Sequence, residues 1–223
     1  MVKYKVVFDF DNTITKFDVL DDIIQKFATD DSWIQLEEDW KAGKIGSKEC
    51  LKGQLASIRV TDKELKRYLS TVKIDPFFKK ILKALRKKRI EPIILSDNFS
   101  FVIKSILKNN GIGGIKIYSK RLKLRNGRLV PFFPHTNKVC PKCGHCKTNN
   151  MPKRGFRNDM IVYIGDGHSD ICPAENSDMI FAKASLLKHF RNAKRECVEF
   201  KTLKDVYKWV KSDKEDKSLC QQN

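Results

Sequence analysis

The chain has 223 residues, 41% hydrophobic and 32% charged, with a net charge of +18. That length and apolar fraction suit one core with a sizeable insertion and exclude disorder along the whole chain. No run approaches the ~18 apolar residues that a membrane span needs. The opening MVKYKVVFDF meets an acid at once and has no small-residue cleavage site, so it does not read as a signal peptide. A soluble, cytoplasmic protein is expected.

Lys5–Phe10 is a short apolar run ending in carboxylates and predicts a buried strand. Asp18–Phe27 and Trp33–Trp40 have helical spacing. Gly43–Gly46 is a turn, after which Ser47 is expected to cap a helix with Cys50–Ile58 on its apolar face. Thr61 to Glu64 is a capping box opening the next helix. Asp75-Pro76 opens another, to about Arg89. Ile90–Leu95 predicts a second buried strand, and Phe101–Asn109 a helix closed by Gly111. A third strand is expected at Ile115–Tyr118. Arg121–Leu124 and Arg128–Phe132 flank the hairpin signal Asn126-Gly127. Met160–Ile164 and Met179–Ala182 read as strands and Thr202–Val210 as the last helix. Trp33, Trp40 and Trp209 are expected in the core.

Strands alternating with helices predict an α/β fold with a parallel sheet. The helical block between the first two strands far exceeds a simple crossover and is expected to form a lid. The expected division is a core of residues 1–15 and 75–212, a helical cap of residues 16–74, a hairpin and cysteine-rich insert at 119–150, and a polar tail at 213–223.

Charge is uneven. Residues 16–50 hold nine acids against five bases, whereas residues 116–157 hold twelve Lys and Arg and no acid. A nucleic-acid face is one reading. A basic loop region near an anionic substrate is preferred, because aromatics are not interleaved with the bases as in a recognised nucleic-acid module. Of the seven cysteines, Cys140, Cys143 and Cys146 cluster in CPKCGHC. That spacing can place three thiolates around a structural Zn²⁺, with His135, His145 or Cys172 as the fourth ligand. Reduced thiols packing a loop are the weightier reading, and a disulfide such as Cys143–Cys146 is the lesser one.

Ligand sites in open α/β sheets form at the carboxyl ends of strands. Here those ends are expected to carry Asp9-Phe10-Asp11-Asn12-Thr13, then Ser96-Asp97-Asn98, then Gly165-Asp166-Gly167-His168-Ser169-Asp170. Carboxylates two apart on an extended chain share a face, and their repulsion is relieved by a cation between them. Oxygen ligands without His or Cys suit Mg²⁺.

These motifs resemble the haloacid dehalogenase (HAD) superfamily of aspartyl-nucleophile phosphohydrolases. Asp9 to Thr13 match its Asp-x-Asp-x-Thr motif, Ser96 the second motif, and Gly165 to Asp170 the fourth. Lys147 fits the third, which is a lone lysine. The lid's place between the first two motifs is similar to the phosphoserine-phosphatase-like branch. Trp40 to Leu51, Ser96 to Phe99 and Cys140 to Lys147 resemble the methionine-salvage phosphatases that act on 2-hydroxy-3-keto-5-methylthiopentenyl 1-phosphate. Phosphocholine/phosphoethanolamine and pyridoxal-phosphate phosphatases are relatives with a similar cysteine-bearing insert.

The resemblance implies a Rossmann-like core and a Mg²⁺-dependent phosphomonoesterase. Asp9 is then the nucleophile and Asp11 the acid and base. Asp9, Asp166 and the Asp11 carbonyl bind metal, and Asp170 orients metal-bound water or Lys147. Ser96 and the amides after it bind phosphoryl oxygens, Lys147 neutralises charge on the nucleophile and phosphate, and Thr13, Asp97 and Asn98 are substrate-binding residues. Asp18, Asp21, Asp22 and Gln54 are lid candidates, although the three acids equally suit a solvated helix start. Asp18 and Gln54 stand where phosphoserine phosphatases carry a glutamate and an arginine, which weakens phosphoserine as substrate. The expected partner is a small phosphorylated metabolite, with no nucleic acid or membrane. A monomer is the default and a homodimer the alternative.

Overall fold

In the computed structural model, residues 4–138, 143–153 and 159–212 are described. The core is a seven-stranded sheet in the order β4-β3-β2-β1-β5-β6-β7. Its strands are β1 (Tyr4–Phe8), β2 (Ile93–Phe99), β3 (Lys116–Arg125), β4 (Arg128–Phe132), β5 (Met160–Gly165), β6 (Met179–Ala182) and β7 (Val198–Glu199). Every pairing is parallel except β3 with β4.

Side chains alternate across each strand, so neighbours in sequence serve opposite faces. On one face Val6, Phe8, Ile94, Val162 and Ile164 pack with α5 (Pro76–Lys87), α6 (Ser100–Asn109) and α9 (Leu203–Lys211). On the other, Val7, Leu95, Ile161 and Tyr163 meet α7 (Ile171–Glu175) and α8 (Ala184–Asn192). Apolar runs covered on both faces are the mark of parallel strands. Each large side chain so buried contributes about 1.5–3 kcal/mol.

Between β1 and β2 lie α1 (Val19–Phe27), α2 (Ser32–Lys41), α3 (Ser47–Ala56), α4 (Asp62–Thr71) and then α5. Val19 and Ile23 of α1, Leu51 and Leu55 of α3, and Leu65 and Leu69 of α4 join the same apolar cluster as β1. The two chain segments linking this helical region to the sheet touch in an antiparallel bridge, Thr15 with Ile74. Asn126 and Gly127 take the left-handed conformation (φ 48° and 73°), as a tight hairpin turn between β3 and β4 requires. The Gly127 carbonyl accepts from Val60 N at 3.1 Å, tying the hairpin to the helices. Among the described residues no helix is long and apolar enough to cross a membrane.

Four local expectations are corrected. β2 does not end at Leu95 but runs through Ser96, Asp97 and Asn98 to Phe99, with a register irregularity between Leu95 and Phe99. The two strands read at 115–118 and 121–124 are one strand, β3. Gly46, not Ser47, caps α3, and the Ser47 hydroxyl instead accepts from Gly144 N at 3.1 Å. Trp40 is exposed, because α2 lies on the outside of the helical region and buries no residue fully.

Asp75 stands where the chain re-enters the core. Its carboxylate accepts from Phe77 N (2.8 Å), capping α5, and from Leu203 N (3.2 Å), at the start of α9. Replacing it orphans two helix-terminal amides at once. Asp75→Ala is expected to cost about 2–3 kcal/mol in a urea unfolding titration.

Candidate active site

β1 delivers Asp9 to the centre of the sheet's carboxyl edge, where Asp9 N still bonds to Ile164 O of β5 at 2.9 Å. The chain then turns. Asn12 adopts a positive φ of 55°, and Ile14 and Thr15 amides both bond back to the Phe10 carbonyl. This turn brings Asp9, Asp11 and Thr13 to the edge together.

Lys147 arrives from the loop before β5. Its Nζ lies 2.6 Å from Asp9 Oδ1 and 2.6 Å from Asp170 Oδ1. Asp170 in turn accepts from the Tyr163 hydroxyl at 2.7 Å and from the Asp166 and Gly167 amides at 3.0 and 2.9 Å. Every lone-pair direction of that carboxylate is therefore used. Asp166 accepts from the Thr13 hydroxyl at 2.9 Å. Asp9, Asp166 and Asp170 are all buried, and each offers an oxygen within 4.8 Å of the others.

Asp11 is held separately. Asn98 Nδ2 donates to both of its oxygens at 3.0 Å, and Val19 N donates to Oδ1 at 3.0 Å. Ser96, fully buried, accepts from Asn98 N at 3.0 Å.

Burial, reinforced by Asp170, pushes the Asp9 carboxyl well above the usual range, with Lys147 pulling the other way. Burial and then the nearby Asp18 push Asp11 up, against its bonds from Asn98 and Val19. Asp166 is raised to about 6 by burial and Asp170. Lys147 moves in the opposite sense: burial disfavours its charge, but Asp170 and Asp9 outweigh that and hold the ammonium well above the lysine range.

One ammonium among three carboxylates leaves an excess of negative charge, and the converging donors are all oxygens. Such a set fits a hard divalent cation such as Mg²⁺. Asp9 and Asp166 have oxygens to spare, whereas Asp170 spends its own on Lys147, Tyr163 and two amides.

The other residues singled out by sequence have partners of their own. Asp97 pairs with Lys120 at 3.0 Å. Asp18 caps α1 by accepting from Asp21 N at 3.0 Å. Gln54 is buried and turns its amide to Glu37, at 3.1 Å. Thr13 spends its hydroxyl on Asp166. Elsewhere in the helical region, Arg59 Nη1 donates to the Ala56 and Ile58 carbonyls, at 2.7 and 2.8 Å.

The cysteine cluster does not come together as a metal group among the described residues, and Cys140 lies outside them. Cys146 is buried, Cys143 half-buried and Cys172 exposed, and Cys143 and Cys146 are not joined to each other. His145 is buried with neither ring nitrogen hydrogen-bonded. Burial, with Lys147 and Lys120 adding against the pull of Asp97, drives its pKa to about 3, so its ring is neutral.

Sequence reasoning missed Tyr163, Lys120 and Gly165. Tyr163 reads as one more apolar strand residue, and Lys120 as one of many surface lysines. Gly165 sits in a motif but for an unread reason: a Cβ there would stand 2.6 Å from Asp170 Oδ2 and 2.9 Å from Tyr163 Cε1.

A family model described as "Putative Phosphatase" matches residues 4–222. A 2-hydroxy-3-keto-5-methylthiopentenyl-1-phosphate phosphatase from Bacillus pumilus is 28% identical over 211 residues, spanning 92% of this chain and 90% of that protein. One of the same name from Bacillus thuringiensis is 25% identical over 206 residues, spanning 91% and 93%. A solved structure of a phospho-aspartyl intermediate analogue of phosphoserine phosphatase superposes with a TM-score of 0.66 at 16% identity, covering 95% of this chain and all of that one. The phosphoserine phosphatase from T. onnurineus, in complex with NDSB-201, gives 0.65 at 20% identity, covering 96% of each chain.

Two outcomes follow from the geometry. Gly165→Ala is expected to lower stability by about 1–3 kcal/mol through overpacking against Asp170, measured by chemical unfolding. Mg²⁺ affinity, measured by calorimetry, is expected to weaken as pH falls through about 6. Below that value a proton on Asp166 competes with the cation, and above it the carboxylate is ionised.

Proposed function

The chain belongs to the Putative Phosphatase family and has the phosphoserine-phosphatase-like fold of the HAD superfamily, and from this premise we propose that it hydrolyses a small phosphomonoester through a phosphorylated Asp9. The observation that carries the reading is the buried assembly of Asp9, Lys147, Asp170 and Asp166 at one sheet edge, with Asp11 alongside.

In this reading an Asp9 oxygen attacks phosphorus in line. The bond from phosphorus to the ester oxygen breaks as Asp11 gives that oxygen its proton. Water then attacks the phosphorus of the aspartyl-phosphate, Asp11 takes the water's proton, and inorganic phosphate leaves with Asp9 regenerated. A carboxyl group whose proton is held by burial suits the first half of that cycle. Asn98 and Val19 N fix its direction.

Lys147 neutralises charge on Asp9 and on the incoming phosphate, and Asp170 with Tyr163 positions Lys147. The Ser96 hydroxyl and the Asp97 amide are the proposed donors to the phosphoryl oxygens, and Thr13 orients Asp166. Asp9, Asp166 and the Asp11 carbonyl are the proposed Mg²⁺ ligands. When bound, the cation offsets repulsion between a carboxylate and a phosphate dianion. Most of the rate is then positioning and electrostatics.

Residues 16–74 act as a cap over the leaving group, and residues 119–150 as an insert that presents Lys147. The helical region packs over the Asp11 side through Val19 and Asp18, which supports this division.

The first substrate to test is 2-hydroxy-3-keto-5-methylthiopentenyl 1-phosphate, the compound in the names of the Bacillus relatives. Phosphoserine, phosphocholine, phosphoethanolamine and pyridoxal phosphate are the alternatives. Phosphoserine ranks low because Gln54, which carries no charge, stands in place of a guanidinium fork and turns its amide to Glu37.

A panel of these esters assayed with Mg²⁺ tests the reading. One ester is expected to turn over, with activity lost on chelation and restored by added Mg²⁺. Activity that survives exhaustive chelation would count against the metal. Asp9→Asn is expected to leave less than about a thousandth of wild-type turnover in a folded protein, and near-normal turnover would remove Asp9 as nucleophile.

A further inference from the structure

Lys120 is a buried cation that the reaction described above does not use. It stands in β3 opposite Phe99 of β2. Its Nζ lies 3.0 Å from Asp97 Oδ1, and its side chain is 5% exposed against 34% for that of Asp97. A lysine held this deeply keeps its charge only beside a fixed acid, so the two must be read as a unit.

Three observations place the unit on the leaving-group side of the site. Asp97 is flanked by Ser96 and by Asn98, the residue that holds the Asp11 carboxyl. The lysine stem passes under the loop leading to Lys147: a Cβ built on Gly144 would lie 3.2 Å from Lys120 Cε. Across the boundary with the helical region, its charge is felt by Asp18 before α1 and by Cys50 in α3. The ammonium thus stands where sheet edge, loop and helices meet. In the proposed reading, with the phosphate on Asp9 and its ester oxygen at Asp11, the alcohol portion would lie on this side.

The same neighbourhood holds His145, buried and neutral, with neither ring nitrogen hydrogen-bonded. A buried polar group without a partner is costly unless something polar completes it.

We propose that Lys120, through its ion pair with Asp97, is a specificity-determining residue that selects phosphomonoesters whose alcohol portion carries a hydroxyl or carbonyl oxygen near the ester and rejects those carrying an ammonium there. The inference rests on the phosphomonoesterase reading and narrows its substrate class. Without Lys120, Asp97 would join Asp11 and Asp18 in an acidic surface that attracts a cation. With it, Asp97 is neutralised. An arriving ammonium then lacks Asp97 as an ionic partner, while an oxygen can accept from the Lys120 N–H donors.

The test compares 2-hydroxyethyl phosphate with phosphoethanolamine, which differ only in carrying a hydroxyl or an ammonium group. The wild type with Mg²⁺ is expected to favour the hydroxyl ester in kcat/KM by about tenfold or more. Lys120→Gln keeps a donor to Asp97 and removes the charge, and is expected to lower that ratio by about tenfold. Lys120→Arg keeps the charge and is expected to hold the ratio within about threefold. Adding Asp97→Asn to Lys120→Gln removes the acid that Lys120 no longer covers and is expected to bring the ratio back to within about threefold of wild type. A lysine that is only a strut would weaken both esters alike and leave the ratio unmoved, which overturns the inference. Should Lys120→Gln fail to fold, the Lys120→Met ratio decides: a fall supports the inference, and no change or a rise overturns it. A wild type that hydrolyses no phosphomonoester fails earlier, overturning the phosphatase reading and this inference together. Turnover with an unmoved ratio overturns only the second.

Discussion

Lys147 sits 2.6 Å from an oxygen of Asp9 and 2.6 Å from one of Asp170, and all three side chains are buried. Removing either class of partner would leave an uncompensated charge inside the protein, at a cost of roughly 3–5 kcal/mol. The contact joins three parts of the chain that are far apart in sequence: the end of β1, the loop before β5, and the turn after β5. None of the three can shift alone. Tyr163 and the amides of Asp166 and Gly167 complete the fourfold grip on Asp170, so the ammonium is aimed as well as paired. A network satisfied to this degree fixes geometry in a way that isolated ion pairs at a surface do not.

The sheet makes that convergence possible. Parallel strands all present their carboxyl ends at one edge, and β1 lies between β2 and β5. Asp9, the Ser96–Asn98 segment and Asp166 therefore become neighbours without any long loop to place them. The apolar alternation that buries Val6 and Phe8 on one face and Val7 on the other leaves the chain no choice of direction when it reaches Asp9. Gly165 shows how tight the edge is, since any side chain there would occupy the place of the Asp170 carboxylate.

This division between strand and edge explains what the sequence made legible. The buried runs before Asp9 and Asp166 were readable because each is local, apolar and ended abruptly by acids. The capping box at Thr61 was readable for the same reason, and both of its hydrogen bonds form. Ser96-Asp97-Asn98-Phe99 was read as a strand end because three polar residues normally mark a loop. They continue β2 instead: Ser96 accepts from Asn98, Asn98 donates to Asp11, and Asp97 pairs with Lys120. Lys120 was invisible, because a lysine is buried only when a distant acid receives it, and no spacing announces Asp97 as that acid. Gln54 lies in α3, and its amide is directed by Glu37 on another helix, a partner that no spacing in the sequence announces. Trp40 misled through size alone: its helix presents that face to solvent.

Charge links the whole molecule to its edge. A chain of net charge +18 draws anions from a distance, yet the described centre is locally acidic. These two facts are compatible because the bases at the edge are not spare. Lys147 is committed to Asp9 and Asp170, and Lys120 to Asp97, so neither adds to the outward field. A dianion that is attracted to the surface therefore meets carboxylates at close range. It can stay there only if something at the edge balances them, whether a divalent cation between Asp9 and Asp166 or a proton held by burial on Asp11. Long-range attraction and short-range repulsion of opposite sign make the site selective for a ligand that arrives where both balances are already in place.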